Sequence, residues 1–253
     1  MCCFSQPVIS VSATNIFARP TDAGRQFLVY SMTLNTDKEL AMVLPVPVKV
    51  GSDENAVTFI DLSGYRDFFE DLLKGFPDPP TKSTRSKGVG LTPVSGQALK
   101  IVSVGSFEAS FVPTVKDFSR LDERFRISDE AWKKLPSYSD YGFAVFKLKP
   151  GEAKIHPMAF SFPRRNTKSL FFPTVHIHDG EVHGKAEFDH VLYCQPSQLE
   201  HPEIHDWRES HANAGRFVKL DKAKGLILGD LHCYQKQLRG MLPNHDTTMS
   251  TFN

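Results

Sequence analysis

Histidine is missing from the first 155 residues of this 253-residue chain, and all ten histidines fall between His156 and His245. Imidazole chemistry therefore belongs to the C-terminal half. Cysteine is scarce. Cys2, Cys3, Cys194 and Cys233 are too few and too scattered for a disulfide framework, and no CxxC pair spells a zinc ribbon or a thioredoxin-like redox site. Charge bias is also lacking: the formal net charge of +1 gives no overall field toward nucleic acid or an anionic membrane. No apolar run approaches the roughly 20 residues that cross a bilayer. Pro7, Ser10, Ser12 and Asn15 interrupt any secretory h-region, so the cytoplasm is the expected compartment. No P-loop, GxGxxG, GxSxG or EF-hand pattern occurs. Lys82, Arg85 and Lys87 lack interleaved aromatics, so neither nucleic acid nor membrane is expected as a partner, and the partner's identity stays open between a small molecule and a protein.

What is present is β-rich. VISVSATNIFA, RQFLVYSMTL and LAMVLPVPVKV are β-branched and aromatic runs separated by turn residues, and 20 phenylalanines suit sheet packing. Pro45 and Pro47 place the end or the edge of the third run there. YRDFFEDLLK predicts a helix capped by Ser63, with Phe68, Phe69, Leu72 and Leu73 on one face and Gly75 and Pro77 as its stop. PDPPTKSTRSKGVG reads as a loop. ALKIVSVGSFEASFV resumes the strands, and short helices are expected around VKDFSRL and around SDEAWKKL, the latter capped by Ser128. YGFAVFKLKPG, KIHPMAFSF, SLFFPTVHIH and EFDHVLYC are strand-like, residues 198–214 are turn-rich, and GLILGDLHCYQKQL reads as a final strand. The expected fold is α+β and β-dominated: a mostly antiparallel, sandwich-like two-layer sheet with a few short helices. The expected organisation is one β-rich domain over 1–253, with the 77–95 loop as the place for any sub-division.

The sharpest local pattern is VHIHDGEVH, residues 175–183. Asp179-Gly180 is a strong type I′ hairpin signal, which would set His178 opposite Glu181 and His176 opposite His183 on one face. Cross-strand Cβ atoms stand roughly 4.5–5.5 Å apart, close enough for these side chains to meet on one divalent ion such as zinc, iron or copper. His176, His178 and His183 are the expected ligands, with Glu181 as a fourth ligand or as the base acting on metal-bound water. The same face can instead be the solvated side of a hairpin whose apolar side carries Val175, Ile177 and Val182. HxH followed by glutamate resembles the metal-binding hairpin of cupins over about six residues. His190 falls on the Phe188, Leu192 and Cys194 side of its strand, the position of a hydrogen-bonded core histidine. His201 and His205 in HPEIH lack the HExxH arrangement and read as exposed.

The start, MCCFSQPV, carries two further resemblances. Met-Cys, a β run and then Arg19 resemble N-terminal-nucleophile cysteine amidohydrolases. That likeness implies Cys2 as nucleophile after loss of Met1, its own α-amino group as base, and Arg19 steadying the thiolate. CCFSQPV, NIFAR, RQFLVYSMTL and LAMVLPVPV together resemble an uncharacterised bacterial domain family with an AWVLPVP-type strand, with Met42 in the tryptophan position. This likeness spans about the first 75 residues and implies a β domain without a known reaction. Paired N-terminal cysteines also fit palmitoylation, but no second membrane signal follows. Three functional classes stand open: a metal-binding protein or metalloenzyme, a Cys2 amidohydrolase, and a non-enzymatic binding or scaffold domain. A mixed site joining Cys2 or Cys3 to the histidines requires the N-terminus to lie beside residues 176–178.

Overall fold

In the computed structural model, which describes residues 2–77, 102–104, 107–195 and 206–250, the strand-rich sequence forms two stacked sheets. The strands are β1 Cys2–Phe4, β2 Ser10–Pro20, β3 Arg25–Thr36, β4 Leu40–Val46, β5 Thr58–Asp61, β6 Val102–Val104, β7 Phe107–Val112, β8 Gly142–Leu148, β9 Gly151–Lys154, β10 Met158–Pro163, β11 Ser169–Phe172, β12 His176–Ile177, β13 Lys185–Cys194, β14 Arg208–Glu209, β15 Tyr234–Pro243 and β16 Thr247–Ser250. The α-helices are α1 Phe68–Lys74 and α2 Asp129–Lys133, and short 3-10 helices include Val115–Arg120, where a helix is expected around VKDFSRL. Among the described residues the first sheet runs β12-β1-β4-β8-β7-β6. The second runs β14-β15-β13-β2-β3-β10-β5, with β9 on β3, and β11 pairs β16 apart from both. All pairs are antiparallel except β1 with β12 and β13 with β2. The expected β-dominated, sandwich-like class is the observed one.

Strand alternation explains the layering, because successive side chains leave a strand on opposite faces. In β4, Leu40, Met42, Leu44 and Val46 face the second sheet, while Ala41 and Val43 face outward. In β8, Ala144, Phe146 and Leu148 point in, and Phe143 and Val145 point out. The second sheet answers with Ile16, Leu28, Tyr30, Phe160 and Leu192 inward, and Phe17, Val29, Ala159 and Tyr193 outward. Both outer faces are covered. Residues around α2 cover the first sheet, where Trp132 packs on Phe118 and Phe143 at ring-centroid distances of 5.1 and 4.9 Å. Helix α1 and residues 214–233 cover the second. Strands buried on both faces read as continuous apolar runs, which is why LAMVLPV shows no polar alternation.

Several local expectations meet a different outcome. Helix α1 begins at Phe68 rather than after Ser63, whose backbone N–H instead donates to Asp61 Oδ1. The shorter helix buries Phe68, Phe69 and Leu72 and leaves Leu73 51% exposed, so Leu73 is not on the core face. Ser128 caps α2 as expected, its Oγ accepting from the Ala131 N–H. The third run ends at Val46, between Pro45 and Pro47 as expected, with Pro45 as the next-to-last residue of β4. β1 pairs β4 only at Met42 and Val43, so Pro45 falls beyond its reach. GLILGDLHC is not strand: β15 starts at Tyr234. Arg19 bonds the carbonyls of Gly225 and Leu226, and Gln195 brackets Leu228 with both amide atoms, so side chains replace a ladder there. The loop read in PDPPTKSTRSKGVG beyond its first proline, its basic cluster, and His201 and His205 lie outside the described residues.

Candidate functional site

The backbone of the N-terminal segment is an interior strand. β1 runs antiparallel to β4 and parallel to β12, with Cys2 in register with His176 and Cys3 with Ile177. The juxtaposition that a mixed cysteine–histidine site requires is therefore present at the backbone level. Cys3 is fully buried in the outer cluster of the first sheet with Val43, Val145 and Ile177, which closes its thiol to substrate. Arg19 is not the partner that the amidohydrolase likeness requires. It belongs to the other sheet, where its guanidinium donates to Leu226 O at 2.7 Å and Gly225 O at 2.6 Å and lies over the Phe27 ring. Cys194 and Cys233 are buried thiols, and desolvation pushes both upward, Cys233 to about 12. Thiols of that kind are poor nucleophiles.

The hairpin expected at Asp179-Gly180 does not form a ladder. Gly180 has φ +85°, but Asp179 does not share the positive φ that a type I′ turn requires, and residues 178–180 form a bend in which Asp179 Oδ1 accepts the Glu181 N–H. Residues 181–184 do not pair with β12, whose one ladder among the described residues is with β1. Asn244 supplies further backbone contacts to β12: its Oδ1 accepts the His176 N–H at 2.7 Å, and its Nδ2 donates to His176 O and His183 O. The sequence-derived ligand set consequently comes apart. His183 is exposed and faces Asp179 Oδ2 at 2.8 Å. Glu181 is exposed and paired with Lys134. Neither side chain reaches the interior.

His176 and His178 stay together, and a third imidazole joins them. Ile177 packs on the outer face of the first sheet, so His176 points inward, toward β13 of the second sheet. There His176 Nε2 lies 3.2 Å from His190 Nε2, with the rings edge-on at 4.7 Å. The His178 ring stacks on that of His176 at 4.8 Å and 27°. Phe188 contacts both His176 and His190, and Phe4 contacts His178. His178 Nε2 and His190 Nδ1 are shut off from solvent and have no hydrogen-bond partner.

Burial depresses all three imidazoles. His176 falls to about 3 through desolvation and the neighbouring His178, His178 to about 4 mainly through desolvation, and His190 well below its ordinary value through desolvation and His176. At neutral pH the cluster is three uncharged rings, which can accept a proton, share one between nitrogens, or donate lone pairs to a metal. In the recorded side-chain positions, no three His, Cys, Asp or Glu side chains among the described residues are already arranged to hold an ion. His190 had a signal in the sequence, since its core-facing position in EFDHVLYC was legible. What no local pattern carries is that β12 and β13 belong to different sheets and face one another.

These features define a two-sheet β protein with an interior N-terminal strand and a buried histidine cluster between the sheets. No helix among the described residues is long and apolar enough to cross a membrane. No family model matches the chain. Among solved structures, a mutated baculovirus P35 after caspase cleavage is similar at TM-score 0.50 and 17% identity, over 95% of this chain and all of that one. Baculovirus P35 itself gives 0.47 and 16%, and P35 in the caspase-8 complex gives 0.48 and 16%, each over 96% of this chain and 97% of the other. At these identities the likeness is one of fold.

Proposed function

We propose that this chain is a protein-binding domain that a caspase-class protease cleaves and that holds the protease afterwards, rather than an enzyme. The observation that supports the reading most is the end-to-end correspondence with a P35 whose structure was determined after caspase cleavage, covering 95% of this chain and all of that one. This is an inference from fold analogy, joined to the topology of this chain.

The topology suits such a role. A protein that is cut and still holds its protease must stay one body after the cut. Residues 2–77 contribute β1 and β4 to the first sheet and β2, β3 and β5 to the second. Residues 102–250 contribute β6, β7, β8 and β12 to the first sheet and β9, β10, β13, β14 and β15 to the second. β1 of the first stretch lies between β12 of the second and β4. β2 and β3 in turn lie between β13 and β10. A nick between the two stretches leaves every ladder named above intact, and separating the halves would expose the inter-sheet core they share.

The test is to mix the full-length chain at equal molarity with each of a panel of caspases and with a papain-type protease. Residual peptide hydrolysis, intact mass and gel-filtration profile are then followed. The expected result is time-dependent loss of caspase activity near one-to-one stoichiometry, with two chain fragments co-eluting with the protease and the papain-type enzyme unaffected. Full caspase activity with an intact chain overturns the proposal, and so does cleavage that leaves the protease active and free.

A further inference from the structure

We propose that His176, His178 and His190 together bind one borderline transition-metal ion, of the zinc or copper class, between the two sheets. The site is independent of the protease reading. It keeps two residues of the sequence-derived set, replaces His183 with His190, and dispenses with Glu181.

His176 Nε2 and His190 Nε2 approach to 3.2 Å from opposite sheets. Two imidazoles bound tetrahedrally at about 2.0–2.1 Å from one zinc ion hold their nitrogens about 3.3 Å apart, so this pair already spans one edge of such a polyhedron. A shared proton between the same atoms has a similar length, so the pair alone does not decide. The third ring does. His178 stacks on His176, and its Nε2 is buried with no hydrogen-bond partner. A buried polar atom left without a partner costs roughly 1–3 kcal/mol. Metal binding requires the His178 ring to leave its stack on His176 and turn that nitrogen toward the other two.

The surroundings fit the same ligand class. The backbone frame of His176 is fixed by the Asn244 amide at both its N–H and its carbonyl. His190 is fully buried in the middle of the ten-residue strand β13. Phe4 and Phe188 wall the cluster with apolar rings. Three neutral nitrogen donors in an apolar shell select zinc or copper over calcium or magnesium, which prefer several oxygen ligands. A three-histidine set also leaves a fourth position for water or an exogenous donor.

The experiment uses the full-length chain, purified with chelator and dialysed against Zn²⁺. Bound metal is counted by mass spectrometry, and Co²⁺ loading is followed by visible absorption. Wild type is expected to retain about one equivalent and to give tetrahedral-type cobalt bands that Zn²⁺ displaces. His190→Gln and His176→Gln are expected to lose that equivalent, whereas His183→Ala keeps it. Circular dichroism establishes that each variant is folded. If the core variants do not fold, the wild-type cobalt spectrum and the His183→Ala count still decide. Absence of a tight equivalent in wild type overturns the proposal, as do loss of it in His183→Ala and its retention in folded His190→Gln.

Discussion

Replacing Phe4 with alanine tests whether the N-terminal strand is a structural member or a frayed end. Phe4 is 3% exposed, pairs through its backbone with Met42, packs in the inter-sheet cluster and touches the His178 ring. A buried phenylalanine truncated to alanine costs about 3–5 kcal/mol through lost transfer energy and the cavity left behind. Chain termini normally fray, and a terminal strand that detaches by itself caps the loss at the small free energy of detachment. β1 is placed otherwise, because β12 joins the first sheet through it. Releasing β1 strips β12 of its ladder partner and exposes Cys3 and Ile177. The full loss should therefore appear in global unfolding. With a urea slope of about 3 kcal/mol/M, a loss of about 4 kcal/mol lowers the midpoint by more than 1 M. Ile9→Ala is the control: Ile9 is 63% exposed, and its variant should stay within about 0.5 kcal/mol of wild type. Equilibrium urea unfolding followed by tryptophan fluorescence reads both. A Phe4→Ala midpoint within 0.2 M of wild type, roughly one-seventh of the expected shift, would refute the placement of β1 as an interior strand.

Gly142→Ala should destabilise by about 1–3 kcal/mol, because a Cβ there would sit 2.5 Å from the Phe111 ring; an unchanged melting temperature would show that the ring yields freely. Glu181→Ala should change stability by less than about 1 kcal/mol, since its ion pair with Lys134 joins two exposed side chains; a larger loss in urea unfolding would assign Glu181 a buried role. His156, tilted against Phe107 with ring centroids 4.0 Å apart, is held below its ordinary value by desolvation, with Arg66 lowering it further and the Pro157 backbone and Asp61 acting against them. A folded-state value below the unfolded one means stability that is fully present above about pH 6.5 and falls as pH drops through that value. His156→Phe should therefore lose less stability than wild type between pH 7.5 and pH 5, measured as urea midpoints, and an equal loss would contradict the assignment.

Much of the architecture was legible because it depends on local pattern. The apolar runs that became β4, β8 and β10 are buried on both faces, those that became β2, β3 and β13 over part of their length, and such strands announce themselves by composition alone. Ser128 capped α2 because a serine three residues before an available N–H is a local device. Errors came where a distant group took over a local role. Ser63 did not cap α1, since its N–H bonds Asp61 and the helix starts only where Phe68 can reach the sheet. The apolar run before Cys233 failed as a strand because Arg19 and Gln195, far away in sequence, occupy its backbone carbonyls.

The histidine site divides along the same line. An i, i+2 spacing states that His176 and His178 leave the chain on the same side, and their stacked rings bear that out. It does not state which strand lies alongside, and that choice decides the chemistry. Paired with residues 181–184, the two rings would share a solvated face with His183 and Glu181. Paired with β1, whose residues precede β12 by more than 170 positions, His176 turns into the space between two sheets and meets His190. Asp179-Gly180, the strongest local signal in the segment, reverses the chain only as a bend in which Gly180 alone takes positive φ. Burial separates a solvated histidine from a candidate ligand, and burial here is set by which distant strand occupies the edge of a two-residue one. The same strand, β1, places the register position of Cys2 against His176. The double cysteine and the histidine pair, far apart in the sequence, are thus neighbours in one sheet.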